Sequence, residues 1–435
     1  MTERKPAVVM LGGLAVAWNQ RYLEAVRRCG LTALVIDRDG EHARDLLRGH
    51  GPDNVDHPLA DVGEVAIIAP EEHTGIVDAV SAWANRFDVR GVVSLSEPYV
   101  LPAAFAADLL GLRSPGLRAA TVCRDKHLQR RYLDRWSPPW HRVGPRERAA
   151  AIANWTSFPV VVKPTGRFAS SGVQLAADAD ELAGIAGDYP PAETLLFESR
   201  ASGPEYSVES MSVDGSPSYV EITQKRTTEA SSEYFVELGH TTPAVGLTDG
   251  QRAALIDTHL AVLDRLAFGT GMAHGEYRLP DGGDPVLIEI AARPPGDSIM
   301  ALHWLSTGVS LEEAYVRVAL GEPIGLREPT RVARQVYLDH PAGVLEDVTV
   351  ADELGTAPHW FSPARVHAQI DACGAPQDPA TLRCVLALKP SGTALSEIRE
   401  SGDRAVMFVI DAPSPAELDA LEQRCRKGIE VRVGS

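Results

Sequence analysis

Short apolar runs alternate with amphipathic stretches over residues 6 to about 113. The short runs have the length and aliphatic content of strands, and the longer stretches repeat their apolar residues at helical spacing. Strands that alternate with helices predict a parallel sheet covered by helices, and hence an α/β domain. The predicted strands are 7–11, 34–36 and 91–95, and the predicted helices are 21–29, 76–84 and 100–110.

A different pattern begins after Arg113-Ser-Pro-Gly116, where proline and glycine predict a boundary. The following segment is mostly strand-like, and a third unit of strand patterns begins near residue 331. The predicted helices here are 124–133, 251–266 and 415–427, and the predicted strands are 159–163, 194–198, 205–209, 218–223 and a hairpin at 273–291. The expected domains are 1–113, 114–330 (subdomains of about 114–193 and 194–330) and 331–435.

Charge and composition exclude several classes of function. The 435 residues include 42 Lys+Arg and 59 Asp+Glu, so the formal net charge is −17. This acidic balance argues against nucleic acid or an anionic membrane as the main partner. The apolar runs are too short to span a bilayer and the first residues lack a signal-peptide core, so a cytoplasmic location is expected. The five cysteines are scattered, without zinc-site spacing.

Two glutamates, Glu276 and Glu289, are placed symmetrically about Gly282-Gly283. The Asp-Gly-Gly core between apolar runs predicts a hairpin turn, which would put the two glutamates opposite each other with their Cβ atoms about 5 Å apart. Carboxylates that close need a cation or a shared proton between them. Oxygen ligands suit Mg²⁺, which keeps phosphate oxygens and waters as its other ligands. The alternative is that one glutamate pairs with Arg278 or Arg293 on a solvated face.

A loop of small residues follows an apolar run that ends in Lys163. It reads Lys163-Pro-Thr-Gly-Arg-Phe-Ala-Ser-Ser-Gly172. Backbone N–H groups of such a loop can contact phosphate oxygens, and a lysine at its base adds positive charge. The loop lacks the Gly-Lys-Ser/Thr of a Walker A motif. Because similar loops are common after strands, this pattern is not specific by itself.

The first strand ends in a glycine turn, Leu11-Gly-Gly-Leu-Ala-Val16. Asp37 follows the second strand, where a dinucleotide-binding fold places a ribose-binding acid. The turn lacks Gly-x-Gly-x-x-Gly, so NAD binding is disfavoured. A tight strand-to-helix turn that could contact a substrate anion is the favoured interpretation.

The ordered set of basic and acidic residues resembles the ATP-grasp superfamily of carboxylate–amine ligases. Lys126 and Arg130 share one helical face, Lys163 precedes the flexible loop, and glutamates follow at a strand end, at the next strand start and in the hairpin. The resemblance covers residues 1 to about 330. It implies an α/β and α+β architecture, with an N-terminal Rossmann-like α/β domain, an ATP-grasp domain of two subdomains and a C-terminal accessory α+β domain.

The resemblance also implies roles for the matching residues. The two lysines would contact the α- and β-phosphates of ATP, the loop would cover the β- and γ-phosphates, and a hinge would read the adenine edge. Glu205 would accept the ribose hydroxyls. Mg²⁺ would bind Glu276 and Glu289, with two ions expected and Mn²⁺ as an alternative. The implied nucleotide-binding residues are Lys126, Lys163, Thr165, Gly166, Ser170, Ser171, Gly172, Glu198, Ser199, Arg200, Ala201 and Glu205.

One departure from the superfamily pattern indicates which branch of the superfamily the chain resembles. Members typically end the metal site with Glu-x-Asn-x-Arg, whereas this chain reads Glu289-Ile-Ala-Ala-Arg293, and Ala291 cannot bind a metal. By the hairpin register, His274 would lie opposite Ala291. Two interpretations of His274 stay open, a hydrogen-bond donor near the metal site and a packed structural histidine.

This variant, together with Tyr234-Phe-Val-Glu-Leu-Gly-His-Thr-Thr-Pro243, resembles the L-amino acid ligases, which join two amino acids with ATP. That resemblance implies that Glu237 meets a substrate α-ammonium and that His240 lies near the transferred phosphate. Arg293 would hold the tetrahedral oxyanion and the departing phosphate. Without the resemblance, Glu237 and His240 could equally form a metal pair or an exposed turn.

The expected function is therefore an ATP-dependent ligase that acts on small-molecule amino acids, in a chain that could form a homodimer. The alternatives are another ATP-grasp ligase or a carboxylase-type enzyme with a non-amino-acid substrate, and a non-catalytic nucleotide-binding module. Asp297 is expected either to face the cavity or, as the favoured alternative, to cap a helix that starts at Ser298. Lys225 and Arg226 would hold a substrate carboxylate or be exposed.

Overall fold

A computed structural model describes residues 4–40, 47, 57–167, 170–228, 234–325, 327–361, 370 and 373–434. Phe168 and Ala169 of the small-residue loop lie outside these residues. None of the helices in the described ranges is long and apolar enough to cross a membrane.

The N-terminal unit, residues 1–113, contains the predicted parallel sheet, with strand order β3-β2-β1-β4. Alternate residues of β1 pack into different apolar clusters, Val8 and Met10 in one and Ala7 and Val9 in the other, so both faces of the sheet are covered. The sequence did not predict β3, an edge strand with few buried residues. The elements are β1 (Pro6–Leu11), α1 (Gly13–Trp18), α2 (Arg21–Arg28), β2 (Thr32–Asp37), β3 (Val62–Ile67), α3 (His73–Ala84), β4 (Asp88–Ser94) and α4 (Val100–Leu109).

A four-stranded antiparallel sheet follows, with strand order β5-β8-β6-β7. Its inner face packs against two helices, and Val160, Phe197 and Leu182 belong to one apolar cluster there. The elements are α5 (Leu117–Cys123), α6 (Lys126–Tyr132), β5 (Trp140–Val143), α7 (Arg148–Asn154), β6 (Val160–Pro164), β7 (Gln174–Ala176), α8 (Ala179–Asp188) and β8 (Leu195–Ser199). Because β8 completes this sheet, the sheet ends beyond the expected subdomain boundary at 193.

A nine-stranded sheet forms the centre of the molecule, with strand order β13-β12-β9-β10-β11-β14-β19-β17-β16. Its members are β9 (Glu205–Val213), β10 (Ser216–Thr227), β11 (Glu237–Thr242), β12 (Gly271–Arg278), β13 (Val286–Ala291), β14 (Val332–Leu338), β16 (Pro358–Trp360), β17 (Thr381–Ala387) and β19 (Val406–Ala412). Since β11 pairs with β14, the sheet continues across the expected boundary at 330/331. The division into domains stays a prediction, and two of its boundaries do not coincide with the edges of sheets.

Four helices and a small sheet complete the described structure. The helices are α9 (Asp249–Leu266), α10 (Ile299–Thr307), α11 (Leu311–Ala319) and α12 (Pro415–Gly428), and the sheet contains β15 (Gly343–Val350), β18 (Ala394–Leu395) and β20 (Ile429–Gly434). Thr248 and Gln251 form a capping box at the start of α9. Leu311 and Tyr315 of α11 share an apolar cluster with Leu23 and Val26 of α2, so α11 joins the N-terminal unit to the rest.

Asp411 provides a test of the C-terminal unit, residues 331–435. This carboxylate is fully buried and pairs with Arg331, also fully buried, and with Arg383. We expect Asp411→Asn to lower the free energy of unfolding in urea by about 3–5 kcal/mol, because two guanidinium groups lose their counter-charge. The matched control is Asp61→Asn, which breaks an exposed pair with Arg27 and should cost less than about 1 kcal/mol. Equal losses would contradict the stabilising role of Asp411.

Candidate active site

A large cleft lies between the four-stranded antiparallel sheet, one face of the nine-stranded sheet and the C-terminal unit. We call it the central cleft. It brings together residues that are distant in sequence, from Lys126 of α6 to Arg404 of the C-terminal unit. The nucleotide-binding, metal and catalytic residues that the resemblance implies all line it except three in the small-residue loop, namely Thr165, Gly166 and Gly172. Ser170 and Ser171 of the same loop do line it.

The hairpin has the expected register at the two glutamates. Glu276 lies opposite Glu289, and His274 lies opposite Ala291. The register shifts between Glu276 and Tyr277, because β13 contains one extra residue, Ile288. The symmetry about the Gly-Gly turn therefore does not extend along the whole hairpin. A bulge on the turn side restores the pairing that puts the carboxylates face to face.

Each of these two carboxylates contacts a lysine from another element. Lys225 Nζ lies 2.6 Å from Glu276, and Lys126 Nζ lies 3.0 Å from Glu289. Pairing with Arg278 or Arg293 on a solvated face was therefore the wrong alternative. In the described part of the chain, no group of three or more His, Cys, Asp or Glu side chains could hold a metal ion. Two carboxylates still fit Mg²⁺, which takes its remaining ligands from phosphates and water.

Lys225 contacts three carboxylates of the central cleft. Its buried ammonium lies 2.6 Å from Glu276, 2.9 Å from Glu205 and 3.3 Å from Glu237. Burial opposes its charge, but the three carboxylates raise the pKa of Lys225 well above its usual value. Glu205 also accepts a hydrogen bond from Arg278. Lys225 is buried, so the interpretation of it as an exposed residue was wrong. Its role in holding a substrate carboxylate stays a prediction.

Glu198 lies between two cations rather than at the surface. The buried carboxylate accepts hydrogen bonds from Arg130 Nε at 2.6 Å and pairs with Lys163 Nζ at 2.7 Å. Burial opposes its ionisation, but the two cations hold the pKa of Glu198 down to about 2. Burial and the nearby Arg130 lower the pKa of Lys163 to about 8. One carboxylate thus serves two cations, which leaves an excess of positive charge beside the small-residue loop.

His274 links the hairpin to a buried carboxylate that the sequence did not single out. Its Nδ1 lies 2.8 Å from Glu209, and its Nε2 lies 3.3 Å from Glu276. Burial opposes protonation, but Glu209 and Glu276 raise the pKa of His274 to about 9. Glu209 is fully buried and also accepts a hydrogen bond from Thr223. His274 is therefore both a packed residue and a donor to Glu276.

Asp297 lines the central cleft but does not cap the following helix. The N-cap of α10 is Ser298, and Asp297 has a left-handed backbone with φ of 54°. Its carboxylate accepts hydrogen bonds from Tyr337 Oη at 2.7 Å and from Arg404 Nη2 at 2.9 Å. The Arg404 guanidinium lies 3.9 Å above the Tyr337 ring. The helix-cap interpretation was wrong, and Asp297 contacts the C-terminal unit instead.

Glu237 and His240 lie at the same end of the central cleft. Glu237 accepts a hydrogen bond from Ser401 Oγ at 3.2 Å, and its backbone oxygen accepts one from Arg404. His240 Nδ1 lies 3.3 Å from Gln335 Oε1. Burial lowers the pKa of His240 below its usual value, so the imidazole is neutral near pH 7. Neither residue belongs to an exposed turn.

The glycine turn of the N-terminal unit is a tight structural turn. Asp37 accepts hydrogen bonds from the backbone N–H groups of Leu14 and Arg38 at 2.8 and 2.7 Å. A Cβ at Gly13 would approach Val35 to 2.8 Å. The Asp37 carboxylate therefore accepts a hydrogen bond from an amide at the start of α1, the region that a dinucleotide phosphate would need.

Outside the central cleft, Arg226 pairs with Glu422.

A family model described as an ATP-grasp domain matches residues 156–301. The chain contains an ATP-grasp domain. Among solved structures, the chain resembles an L-amino acid ligase from Bacillus licheniformis, with a TM-score of 0.75, 20% identity and 100% of each chain covered. It also resembles a phosphoribosylglycinamide synthetase from Anaerococcus prevotii, with a TM-score of 0.67, 13% identity and coverage of 99% and 100%. These matches confirm the predicted fold class.

Relatives of known sequence extend beyond the ATP-grasp domain. An uncharacterized protein, y4rH, of Sinorhizobium fredii is 26% identical over 430 residues, covering 95% of this chain and 80% of its own. Alanine–anticapsin ligase of Bacillus subtilis is 25% identical, over 61% of this chain and 59% of its own. The carbamoyl phosphate synthase large chain of Streptomyces avermitilis is 26% identical over 62% of this chain, but the match spans only 25% of that relative.

Several residues in or next to the central cleft were not assigned a role from the sequence. Glu97 and Arg404 are distant in sequence from the residues that they contact, Arg293 and Asp297. Glu209 had a detectable signal, because it lies on the same strand face as Glu205 at an even spacing. The sequence also contained a signal for Arg130, since this residue shares a helical face with Lys126. For Glu97 and Arg404, no local pattern indicates the contact.

The pKa of Lys163 predicts how nucleotide binding to the ATP-grasp domain depends on pH. Below about pH 8 the ammonium is charged and can contact phosphate; as pH rises through 8 it loses its proton. Affinity for MgADP should therefore be retained below pH 8 and should fall above it, approaching about tenfold per pH unit. Titration calorimetry between pH 7 and 9.5 measures this fall.

In Lys163→Met the affinity should be lower at pH 7, and the decline above pH 8 should be lost. Lys427→Met is the matched control, because Lys427 is an exposed lysine of α12, and its pH profile should follow the unmodified protein. An unchanged decline in Lys163→Met would disprove the assignment to Lys163.

Proposed function

We propose that the protein is an ATP-dependent carbon–nitrogen ligase that joins two amino acids. One amino acid carboxylate would be activated as an acyl phosphate, and the amine of the second would displace the phosphate to give a dipeptide or related amide. The observation that carries the proposal is the charge layout of the central cleft. Lys163 shares the Glu198 carboxylate with Arg130, which leaves an excess of positive charge. Glu276 and Glu289 face each other and pair with Lys225 and Lys126, and Glu237 and His240 line the same cleft.

The nucleotide would bind at the end that contains Lys126 and Lys163. Its phosphates would take up the positive charge that Glu198 leaves uncompensated. The backbone of Glu198 to Ala201 would read the adenine edge, and Glu205 would accept the ribose hydroxyls. Ser170 and Ser171 would close over the terminal phosphates. The side chain of Glu198 would hold Lys163.

Mg²⁺ would be held by Glu276 and Glu289, and it would neutralise phosphate charge when bound. To reach it, the two carboxylates must turn from Lys225 and Lys126. Lys126 would then be free to contact phosphate, whereas Lys225 would keep Glu205 and Glu237 as partners. His274 donates to Glu276 from the side of the buried Glu209, so it restrains the carboxylate during this exchange.

The first chemical step is attack of a carboxylate oxygen on the γ-phosphorus, with cleavage of the bond to the bridging oxygen and release of ADP. In the second step, a neutral amine attacks the acyl carbon, phosphate leaves and the nitrogen loses a proton. The enzyme contributes mainly positioning and charge neutralisation. Arg293 would hold the oxyanion and the departing phosphate with its planar fork. A neutral His240 can accept a hydrogen bond or the amine proton.

The amino acid substrates would bind beside Glu237. A half-buried carboxylate that lines the cleft is a suitable partner for an α-ammonium group. Alanine–anticapsin ligase, as its name states, joins alanine to anticapsin, and an L-amino acid ligase has the same fold. Both relatives support amino acids as the substrate class. The proposed enzyme is cytoplasmic and could form a homodimer. The alternative is a carboxylase-type reaction, since a biotin carboxylase domain also shares the fold.

The proposal is tested by measuring phosphate release from MgATP with pairs of amino acids, including non-protein ones. Mass spectrometry of the products should show a compound formed from both amino acids with loss of one water. Release that requires two amino acids is the expected result. Bicarbonate-stimulated hydrolysis without an amino acid product would instead support the carboxylase alternative. If no mixture causes Mg²⁺-dependent ADP formation, the ligase proposal fails.

Arg293→Ala should separate chemistry from nucleotide binding. Loss of an oxyanion donor should lower kcat by about 10²–10³, whereas the affinity for MgATP should change little because Lys126 and Lys163, the proposed phosphate contacts, are kept. Arg226→Ala is the control, since Arg226 pairs with Glu422 outside the central cleft, and it should retain normal turnover. Near-normal turnover of Arg293→Ala would remove Arg293 from the proposed mechanism.

A further inference from the structure

We propose that Glu97 of the N-terminal unit is a positioning residue for Arg293. The inference rests on the proposed role of Arg293 in the ligase reaction. It concerns a contact between two units of the molecule: the residues are 196 positions apart in the chain, and Glu97 belongs to the α/β unit that precedes the ATP-grasp domain. The N-terminal unit would thereby complete the active site.

Glu97 is placed by the parallel sheet of the N-terminal unit. It begins a short 3₁₀ turn, Glu97–Tyr99, directly after the carboxyl end of β4. Ligand sites of open parallel sheets lie beyond the carboxyl ends of the strands. Pro98 in the turn restricts the backbone, and the Glu97 side chain is only 6% exposed. The buried carboxylate is thus held in a fixed position beside Arg293, which lines the central cleft.

The carboxylate connects two arginines from different elements. One oxygen accepts from Arg124 Nη1 at 2.8 Å, and the other accepts from Arg293 Nε. Arg124 is the C-cap of α5 and directly precedes the segment that carries Lys126. Burial opposes the charge of Glu97, but Arg293 and Arg124 outweigh it and lower its pKa. Glu97 is therefore ionised at neutral pH and fixes Arg293 relative to the start of α6.

The remaining contacts of Arg293 define which edge of the guanidinium faces the cleft. Its Nη1 donates to the backbone oxygen of Pro294 at 2.8 Å. Within the described ranges, Nη2 has no such bond to the protein, and the side chain, 20% exposed, lines the central cleft. Two bonds thus hold the Nε and Nη1 positions and leave Nη2 for an oxyanion. Preorganised donors of this kind need no rearrangement during reaction.

Glu97 also keeps Arg293 away from the proposed metal ligands. After Glu97, the next carboxylates that raise the pKa of Arg293 are Glu289 and Glu276. Without the Glu97 contact, a long and flexible guanidinium side chain would be drawn toward these two carboxylates. It would then compete with the divalent cation and leave the oxyanion position. The N-terminal carboxylate prevents this by offering Arg293 a better-aligned partner.

The test is a double-mutant cycle with Glu97→Gln and Arg293→Ala. Gln keeps the size of the side chain but removes its charge. Glu97→Gln should lower kcat by about 10²-fold, the typical cost of a misplaced catalytic group, with unchanged affinity for MgADP. In the Arg293→Ala background, Glu97→Gln should have no further effect, because its action passes through the arginine. Independent, multiplying losses would overturn the proposal.

A second readout does not depend on the amino acid substrates. Inorganic phosphate is titrated into the MgADP complex by calorimetry, and Glu97→Gln should weaken phosphate binding only when Arg293 is present. Unchanged phosphate affinity in Glu97→Gln would overturn the positioning role. If the unmodified protein joins no amino acids, the proposed function fails, but this readout still decides the role of Glu97.

Two further variants guard against a folding artefact. Glu97→Asp keeps the charge on a shorter side chain and should recover part of the activity and phosphate affinity lost in Glu97→Gln. Equal losses in both variants would contradict a role that depends on charge. Glu64→Gln is the matched control, because Glu64 pairs with Arg86 in the same unit and outside the central cleft, and it should behave as the unmodified protein.

Discussion

Buried charges in the central cleft are held next to opposite charges, because an ion removed from water costs several kcal/mol unless a partner replaces its hydration. Lys225 satisfies this requirement for Glu205, Glu237 and Glu276 at once. One ammonium group thereby joins three strands that carry proposed ribose, substrate and metal contacts. The arrangement of the cleft follows from this pairing as much as from apolar packing.

The pairing also explains how the cleft could receive a highly charged ligand. Glu198 is shared by Arg130 and Lys163, so the phosphate end keeps unbalanced positive charge. At the hairpin, Glu289 pairs with Lys126, and Glu276 pairs with Lys225, which also contacts Glu205 and Glu237. In the proposed reaction, phosphates take the place of carboxylates as partners of lysine, and a divalent cation takes the place of lysine as the partner of the carboxylates. Ligand binding thus exchanges the partners of the ion pairs, and the number of unpaired buried charges stays low.

Two parts of the chain line the central cleft, and a third contacts one of the lining residues. The middle of the chain provides Lys126, Lys163 and the facing glutamates, whereas the C-terminal unit provides Ser401 and Arg404. The N-terminal unit reaches the lining residue Arg293 through Glu97. The shared nine-stranded sheet and the packing of α11 on α2 hold the units against one another. In the proposed mechanism, both flanking units contribute to the chemistry of the site.

The sequence by itself determined the parallel N-terminal sheet, the order of the later strands and the facing pair in the hairpin, since period, turn residues and spacing are local properties. It also indicated the ATP-grasp fold through an ordered set of motifs. Only the tertiary structure decided that Ile288 forms a bulge, that Glu198 lies between Arg130 and Lys163, and that Glu97 meets Arg293. Those contacts depend on how distant segments pack, and a buried charge can take any partner that packing brings within reach, so no local pattern encodes them.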